Sequence, residues 1–401
     1  MKHFYILSLL LSISHITLPM QASFYEPSAC LEKPRFARMN LTSVDITLEN
    51  SSSKCSYNRK GQKAPLLAYR GVEPLLPQFL DPSVPLDTAI PLCYGLFDAR
   101  YSEIYYGASV SQNIHESMFF ELSSCICFDK LQNITMIPTT ATGKPLTTQE
   151  IDSNSKLKAY LPLLQQTIGS TQKCSIIGPT YFLLGYTKSL TTFDYLDFVD
   201  ITLQTGCIVP IILLDRPGSK LVVFPRQNMV NLGIPLQLTI ALGVYDWLNI
   251  GASGSVINYI KNDQVIPLNT AAASNKLLIP QSGLCTVHHE PQFALSAYIE
   301  GEYFLPNWTW FVGVSYTKQN PTHYQAYDRQ KFPTSVINKY PSQNRWELAY
   351  VTIASEFDFI VHPKHVMPRL KLVYTKPFYG RTCFASSTLA GQLGLEISYD
   401  F

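Results

Sequence analysis

Apolar residues occupy every second position over several stretches of this chain. The clearest stretch runs from Leu232 to Val244, with apolar side chains at the even-numbered positions and mostly small or polar residues between them. After a short connection at 245–247, the segment from Leu248 to Val256 repeats the alternation. Successive side chains of a β-strand point to opposite faces of the sheet. The pattern therefore predicts an antiparallel hairpin with one apolar and one polar face.

The same alternation recurs along most of the chain. A second hairpin is predicted from Gln292 to Thr317, with its turn at 305–307. Further strands are predicted at 36–49, 103–111, 116–129, 177–187, 193–209, 345–359, 367–375 and 391–401. Together these segments predict about twelve strands.

The connections between the predicted strands alternate between short and long. Short ones fall at 112–115, 188–192, 245–247, 305–307 and 360–366, and long ones near 50–102, 131–176, 210–229, 260–291, 320–344 and 376–390. Transmembrane barrels have short turns at one end and long loops at the other. The predicted fold class is therefore all-β, a closed antiparallel up-and-down transmembrane β-barrel of about twelve strands with long extracellular loops. In such a barrel the last strand pairs with the first, which leaves no edge.

The first residues have the composition of a secretory signal peptide. Lys2 and His3 precede an apolar stretch from Phe4 to Ile13, and small residues follow near Ala22. The stretch is shorter than the roughly 20 residues of a spanning helix, so a signal peptide is favoured over a membrane anchor. The predicted organisation is a signal peptide at 1–22, a short periplasmic segment at 23–35 and the barrel at 36–401.

Composition narrows the alternatives. Charged residues make up 15% of the chain, below the roughly 25% of soluble domains, and aromatic residues make up 12%. The mean hydropathy of +0.04 is too low for a bundle of membrane helices, and a net charge of +2 gives no basic field for nucleic acid. The nine cysteines are an odd number. Disulfides can form in the predicted loops, with the pairing left open, among Cys55, Cys93, Cys174, Cys285 and Cys383.

The last predicted strand carries a terminal pattern. Its alternating large side chains are Leu393, Leu395, Ile397, Tyr399 and Phe401. In this respect the chain resembles the outer-membrane β-barrel proteins of Gram-negative-type bacteria whose last strand ends in Phe. The resemblance implies that the protein lies in the outer membrane, in contact with its lipid. It also implies that Tyr399 and Phe401 form an assembly signal read by the barrel-assembly machinery.

If the apolar faces contact lipid, the opposite faces line the interior. The predicted lumen-lining residues are Glu121, Asp200, Gln204, Gln237, Glu300, Glu302, Glu356 and Glu396, with Lys371 as one of few inward cations. An acidic wall favours the passage of cations over anions. Alternatively, these groups pair with loop cations such as Arg226, Arg329 or Arg345 and only fill the interior.

No catalytic motif stands out. His115 and Ser117 share a strand face but have no acid placed to orient the histidine. His288, His289 and Glu290 do not imply a third metal ligand by their spacing. The sequence contains no phosphate-binding glycine loop and no nucleophile elbow. We therefore expect no enzymatic activity, no cofactor and no metal site.

Two functional interpretations remain open at this point. In the first, the barrel is a channel or porin-like passage for small solutes, with a preference for cations. In the second, it is a structural or adhesive cell-surface protein whose barrel anchors the long extracellular loops.

Overall fold

Twelve antiparallel strands, each paired with its neighbours in chain order, form a closed barrel in the computed structural model of this protein. The structure describes residues 41–67, 73–75, 92–191, 195–209, 212–215, 231–245, 247–268, 282–338, 345–359 and 366–398. The barrel strands are β1 (Leu41–Ser53), β2 (Cys93–His115), β3 (Met118–Thr139), β4 (Thr180–Leu190), β5 (Phe198–Val209), β6 (Gly233–Tyr245), β7 (Leu248–Tyr259), β8 (Gln292–Leu305), β9 (Trp308–Gln319), β10 (Trp346–Asp358), β11 (Val366–Arg381) and β12 (Ser387–Ser398). The predicted fold class is confirmed.

The first and last barrel strands pair with each other. The register of β1 and β12 runs from Leu41 opposite Ser398 to Ser52 opposite Ser387. This pairing closes the sheet, so the backbone groups of both strands are hydrogen-bonded rather than exposed at an edge. The first strand therefore holds the last barrel strand in register.

Long and short connections lie at opposite ends of the barrel, but several strands extend further than the sequence predicts. Strand β2 begins inside the predicted loop 50–102, and β3 continues into the predicted loop 131–176. Most of the predicted loop 376–390 is strand, because β11 ends at Arg381 and β12 begins at Ser387. A strand that extends beyond an apolar layer needs no apolar outer face, so the alternation ends before the hydrogen bonding does.

The two faces of the barrel wall differ in polarity. Large apolar side chains are exposed on the outer face, as in Ile46 at 61% and Leu393 at 62% of their full accessible area. Polar side chains such as Thr202, Gln204 and Ser253 are buried on the inner face. This arrangement is the reverse of a soluble sandwich, in which the apolar faces would pack against each other.

An apolar cluster closes part of the long-loop end. Leu66 and Leu75 of the first long connection and Leu164 of a helix at Ser155–Ile168 belong to the same buried cluster as Tyr105 of β2 and Tyr350 of β10. The first two long connections therefore pack over inward-facing residues of β2 and β10, which lie on either side of β11, β12 and β1.

A separate small sheet stands at the same end. It consists of strands Asn262–Pro267, Ser282–His289 and Thr322–Ala326, with a short helix at Thr334–Ile337. The sheet has its own apolar core, which includes Val287. Shorter strands lie at Cys55–Tyr57, Lys63–Pro65, Glu73–Leu75, Thr171–Ile177, Ile212–Asp215 and Cys383–Phe384, and a helix lies at Thr148–Asp152. No helix in the described ranges is both long enough and apolar enough to cross a membrane.

Candidate functional site in the barrel interior

Each predicted lumen residue lies on the strand face opposite to the exposed apolar side chains. Glu356, for example, precedes the exposed Phe357, and Glu396 follows the exposed Leu395. The same holds for Glu121, Asp200, Gln204, Gln237, Glu300 and Glu302. The alternation along each strand is the direct cause of this placement. Whether these side chains border an open passage stays a prediction.

An ion-pair network spans the seam where the barrel closes. The guanidinium of Arg369 on β11 donates from Nη2 to Asp45 Oδ1 at 2.7 Å and to Asp45 Oδ2 at 2.8 Å. Its Nη1 donates to Glu396 Oε1 at 2.6 Å, and its Nη2 also donates to Ser43 Oγ at 2.8 Å. All four side chains are largely buried. This network links three adjacent strands, β11, β12 and β1.

Gly394 makes the reach of this arginine possible. Arg369 on β11 is paired with Gly394 on β12, which is in turn paired with Asp45 on β1. A Cβ atom at Gly394 would overlap both Arg369 Nε and Asp45 Oδ1. Since glycine has no side chain, the guanidinium crosses the whole of β12 and forms a two-oxygen contact with the aspartate.

Two further carboxylates face this network. Glu121 on β3 is in electrostatic contact with Asp45, and Glu356 on β10 with Arg369. Two of the predicted residues, Glu356 and Glu396, thus lie near one cation, Arg369, and Glu121 lies near Asp45, to which that cation is bound. The sequence analysis missed Arg369 and Asp45. Arg369 lies two residues before Lys371, and this spacing places both on the inward face of one strand.

A second acidic group lies on another part of the inner face, on β5 and β8. Asp200, Glu300 and Glu302 are all in electrostatic contact with the phenol of Tyr298. The ring of Tyr298 lies over Gly251, where a Cβ atom would overlap it, and stacks on Phe311 with the centroids 5.2 Å apart. The absence of a side chain at Gly251 therefore positions the tyrosine among the carboxylates.

Gln204 and Gln237 belong to neither acidic group. They face each other directly across β5 and β6. The same two strands place Thr202 opposite Thr239. This part of the inner wall is therefore polar and uncharged.

Acidic residues outnumber basic ones on the inner face. Among the described strand residues, the lysine and arginine side chains that lie on this face are Lys371 and Arg369. The acidic residues on it are Asp45, Glu49, Glu103, Glu121, Asp129, Asp200, Glu300, Glu302, Glu356, Asp358 and Glu396. The inner face described here therefore carries an excess of carboxylates over cationic groups.

One of the three loop arginines proposed as interior partners, Arg345, lies elsewhere. Arg345 forms an ion pair with Glu347, and this glutamate is on the outer face of β10, opposite Lys318. Arg329 lies in the connection between β9 and β10. Arg226, Tyr399 and Phe401 lie outside the described residues, so the predicted assembly signal stays a prediction.

Two of the residues considered as metal ligands, His289 and Glu290, have other contacts. His289 Nδ1 is 2.7 Å from Thr322 Oγ1, and His323 Nε2 is 3.0 Å from Glu290 Oε1. Over the ranges the structure describes, no three histidine, cysteine or acidic residues are grouped as metal ligands.

Cys285 is a thiol in the core of the small sheet, and burial raises its pKa to about 11. The thiol is therefore protonated near neutral pH.

The fold is similar to those of outer-membrane β-barrel proteins. An outer membrane channel from Pseudomonas putida F1 matches with a TM-score of 0.50 at 8% identity, over 94% of this chain and 100% of the channel. The transport unit of the autotransporter AIDA-I from Escherichia coli matches with a TM-score of 0.40 at 8% identity, over 93% and 95%. A FadL homologue from Pseudomonas aeruginosa gives 0.33 at 11% identity, over 94% and 95%. No family model and no curated protein sequence matches the chain. At these identities the likeness extends to the fold alone.

Proposed function

We propose that this chain forms a channel in the outer membrane of a Gram-negative-type bacterium, and that small solutes, preferentially cations, pass through it. The observation that carries the proposal is the acidic inner face of a closed barrel whose outer face is apolar. The apolar face suits hydrocarbon, and the closed sheet satisfies the backbone groups that lipid cannot. The proposed function includes no enzymatic activity. Outer-membrane lipid, the barrel-assembly machinery and the solute are the proposed partners.

The interior limits what can pass. A barrel of twelve strands encloses a narrower lumen than the larger porins do. The apolar cluster under the first two long connections occupies part of the long-loop end. A permeating solute would therefore have to be small, and it would pass close to the carboxylates of both acidic groups.

Conductance measurements in planar bilayers test the proposal. We expect stepwise currents and, in a salt gradient, a reversal potential of the sign given by cation preference. Replacing Asp200, Glu300 and Glu302 together by their amides should lower the cation-to-anion permeability ratio by a factor of about three or more, because less counter-ion is concentrated in the interior.

A matched control removes the same charge outside the barrel. Asp263, Glu290 and Asp328 lie on or beside the small external sheet, and their amide variants should leave the permeability ratio unchanged. Absence of current from protein that migrates as a folded barrel on an unboiled gel would reject the channel. An equal shift in both triple variants would reject the interior as the origin of selectivity.

The alternative role as a surface protein is favoured by one observation. The small external sheet has its own core and exposes the apolar side chains of Val265, Leu284 and Tyr327. Val265 and Leu284 are directly paired, and Tyr327 N donates to Leu284 O. Exposed apolar groups of this kind occur at binding surfaces. A folded barrel that carries no current would support this role.

A further inference from the structure

Basic side chains gather on the outer face of the barrel near its long-loop end. Lys318 on β9, Glu347 on β10 and Arg381 on β11 are paired in one row across three strands. Arg345 immediately precedes β10 and contacts Glu347. We refer to Lys318, Arg345 and Arg381 as the basic cluster.

The single carboxylate in this row already has several partners. Glu347 is only 4% exposed. It pairs with Arg345, accepts a hydrogen bond from Tyr379 Oη at 3.3 Å and is hydrogen-bonded to Tyr316. One negative charge is therefore shared by an arginine and two phenols, and it does not neutralise three cations.

The charges of two cations of the cluster are not neutralised by a carboxylate of the described residues. The Arg381 guanidinium lies over the ring of Tyr379, 5.9 Å from its centroid. Within the described residues, neither Lys318 nor Arg381 forms an ion pair with a carboxylate. The ring contact orients the guanidinium and leaves its N–H donors available to a ligand.

Exposed apolar side chains lie directly below the cluster. Leu295, Val314, Ile353 and Phe378 are all exposed on the outer face of β8 to β11. A basic row at the upper border of an apolar belt is where long cationic side chains meet lipid headgroups. The surface therefore places apolar contacts for acyl chains next to N–H groups that can donate hydrogen bonds to phosphate.

We propose that the basic cluster binds the phosphate groups of a phosphorylated lipid in the leaflet at the long-loop end, with the acyl chains against the apolar side chains below. This inference rests on the proposed membrane location. Arginine donates two parallel hydrogen bonds to phosphate, and lysine adds a point charge. Glu347 keeps Arg345 at the edge of the site.

The test compares lipid binding by the refolded full-length barrel in non-ionic detergent micelles. Native mass spectrometry with a bisphosphorylated glycolipid and with its dephosphorylated form should give tight binding of the first only. The variant Lys318→Ala/Arg381→Ala should lose about tenfold or more in affinity, since each charge-assisted hydrogen bond contributes substantially. Lys188→Ala serves as a control, because Lys188 is an exposed cation on the outer face of β4 near the short-turn end.

The possible outcomes separate the proposals. Equal binding of both glycolipids, or unchanged affinity of the double variant while it remains folded by gel migration, would overturn the lipid site. Competition by inorganic phosphate at a concentration equal to that of the lipid would show a soluble-anion site instead, and would also overturn it. The conductance of the double variant should match that of the unmodified protein because the cluster lies outside the lumen. A folded barrel that binds the phosphorylated lipid but carries no current would therefore reject the channel proposal alone.

Discussion

Replacing Leu238 by arginine should lower the free energy of unfolding of the barrel in phospholipid vesicles by about 2–4 kcal/mol. Leu238 lies in the middle of β6, exposed on the outer face between Leu203 and Gly254. If this face contacts hydrocarbon, the guanidinium must be desolvated there or must distort the bilayer to reach water. Denaturant-induced unfolding of the barrel, followed by tryptophan fluorescence, measures the loss.

The adjacent residue provides the matched control. Thr239 is on the inner face of the same strand, opposite Thr202 and beside Gln237. Thr239→Arg should cost less than about 1 kcal/mol, because the charge enters a polar interior, and it should reduce the cation preference instead. Equal destabilisation by the two arginines would contradict the assignment of the outer face to lipid.

Loss of the seam arginine should produce the other large effect. Arg369→Ala should destabilise the barrel by about 3 kcal/mol, because it leaves Asp45 and Glu396 buried beside each other without their cation. Gly394→Val should act in the same direction, since a side chain at this position occupies the path of the guanidinium. Equilibrium unfolding in vesicles at neutral pH measures both variants.

A pH series distinguishes lost charge pairing from lost packing. Acidification should restore part of the stability of Arg369→Ala, since protonation of the clustered carboxylates removes their mutual repulsion. The same acidification should not restore Gly394→Val fully, because its steric overlap is independent of pH. Arg369→Lys should be intermediate, since lysine cannot form the two-oxygen contact with Asp45.

Lys371→Ala is the control for this pair. Lys371 is on the same face of β11, two residues further along, and is paired with Glu356 and Gln392. It has no ion pair among the described residues, so its loss should cost less than about 1 kcal/mol. If Lys371→Ala and Arg369→Ala were equally destabilising, the seam network would have no special role in closing the barrel.

The candidate site was predictable only in part. The alternation of residues places Glu300, Glu356 and Glu396 on inner faces, and this can be read from each strand alone. Arg345 was considered as an interior partner, yet it lies beside Glu347 on the outer face, because contacts between loops and strands have no local signal. The position of the aromatic ring of Tyr298 depends on Gly251, a residue of the neighbouring strand.

The sequence by itself determined which side chains face outward, because successive residues of a strand alternate and each strand encodes its own two faces. It also indicated closure, through strands at both ends of the barrel segment and the sorting of short and long connections. Only the tertiary structure decided which inward residues meet. Arg369 and Asp45 are 324 positions apart. They form an ion pair because closure puts one strand between them, and that strand has a glycine at the crossing point.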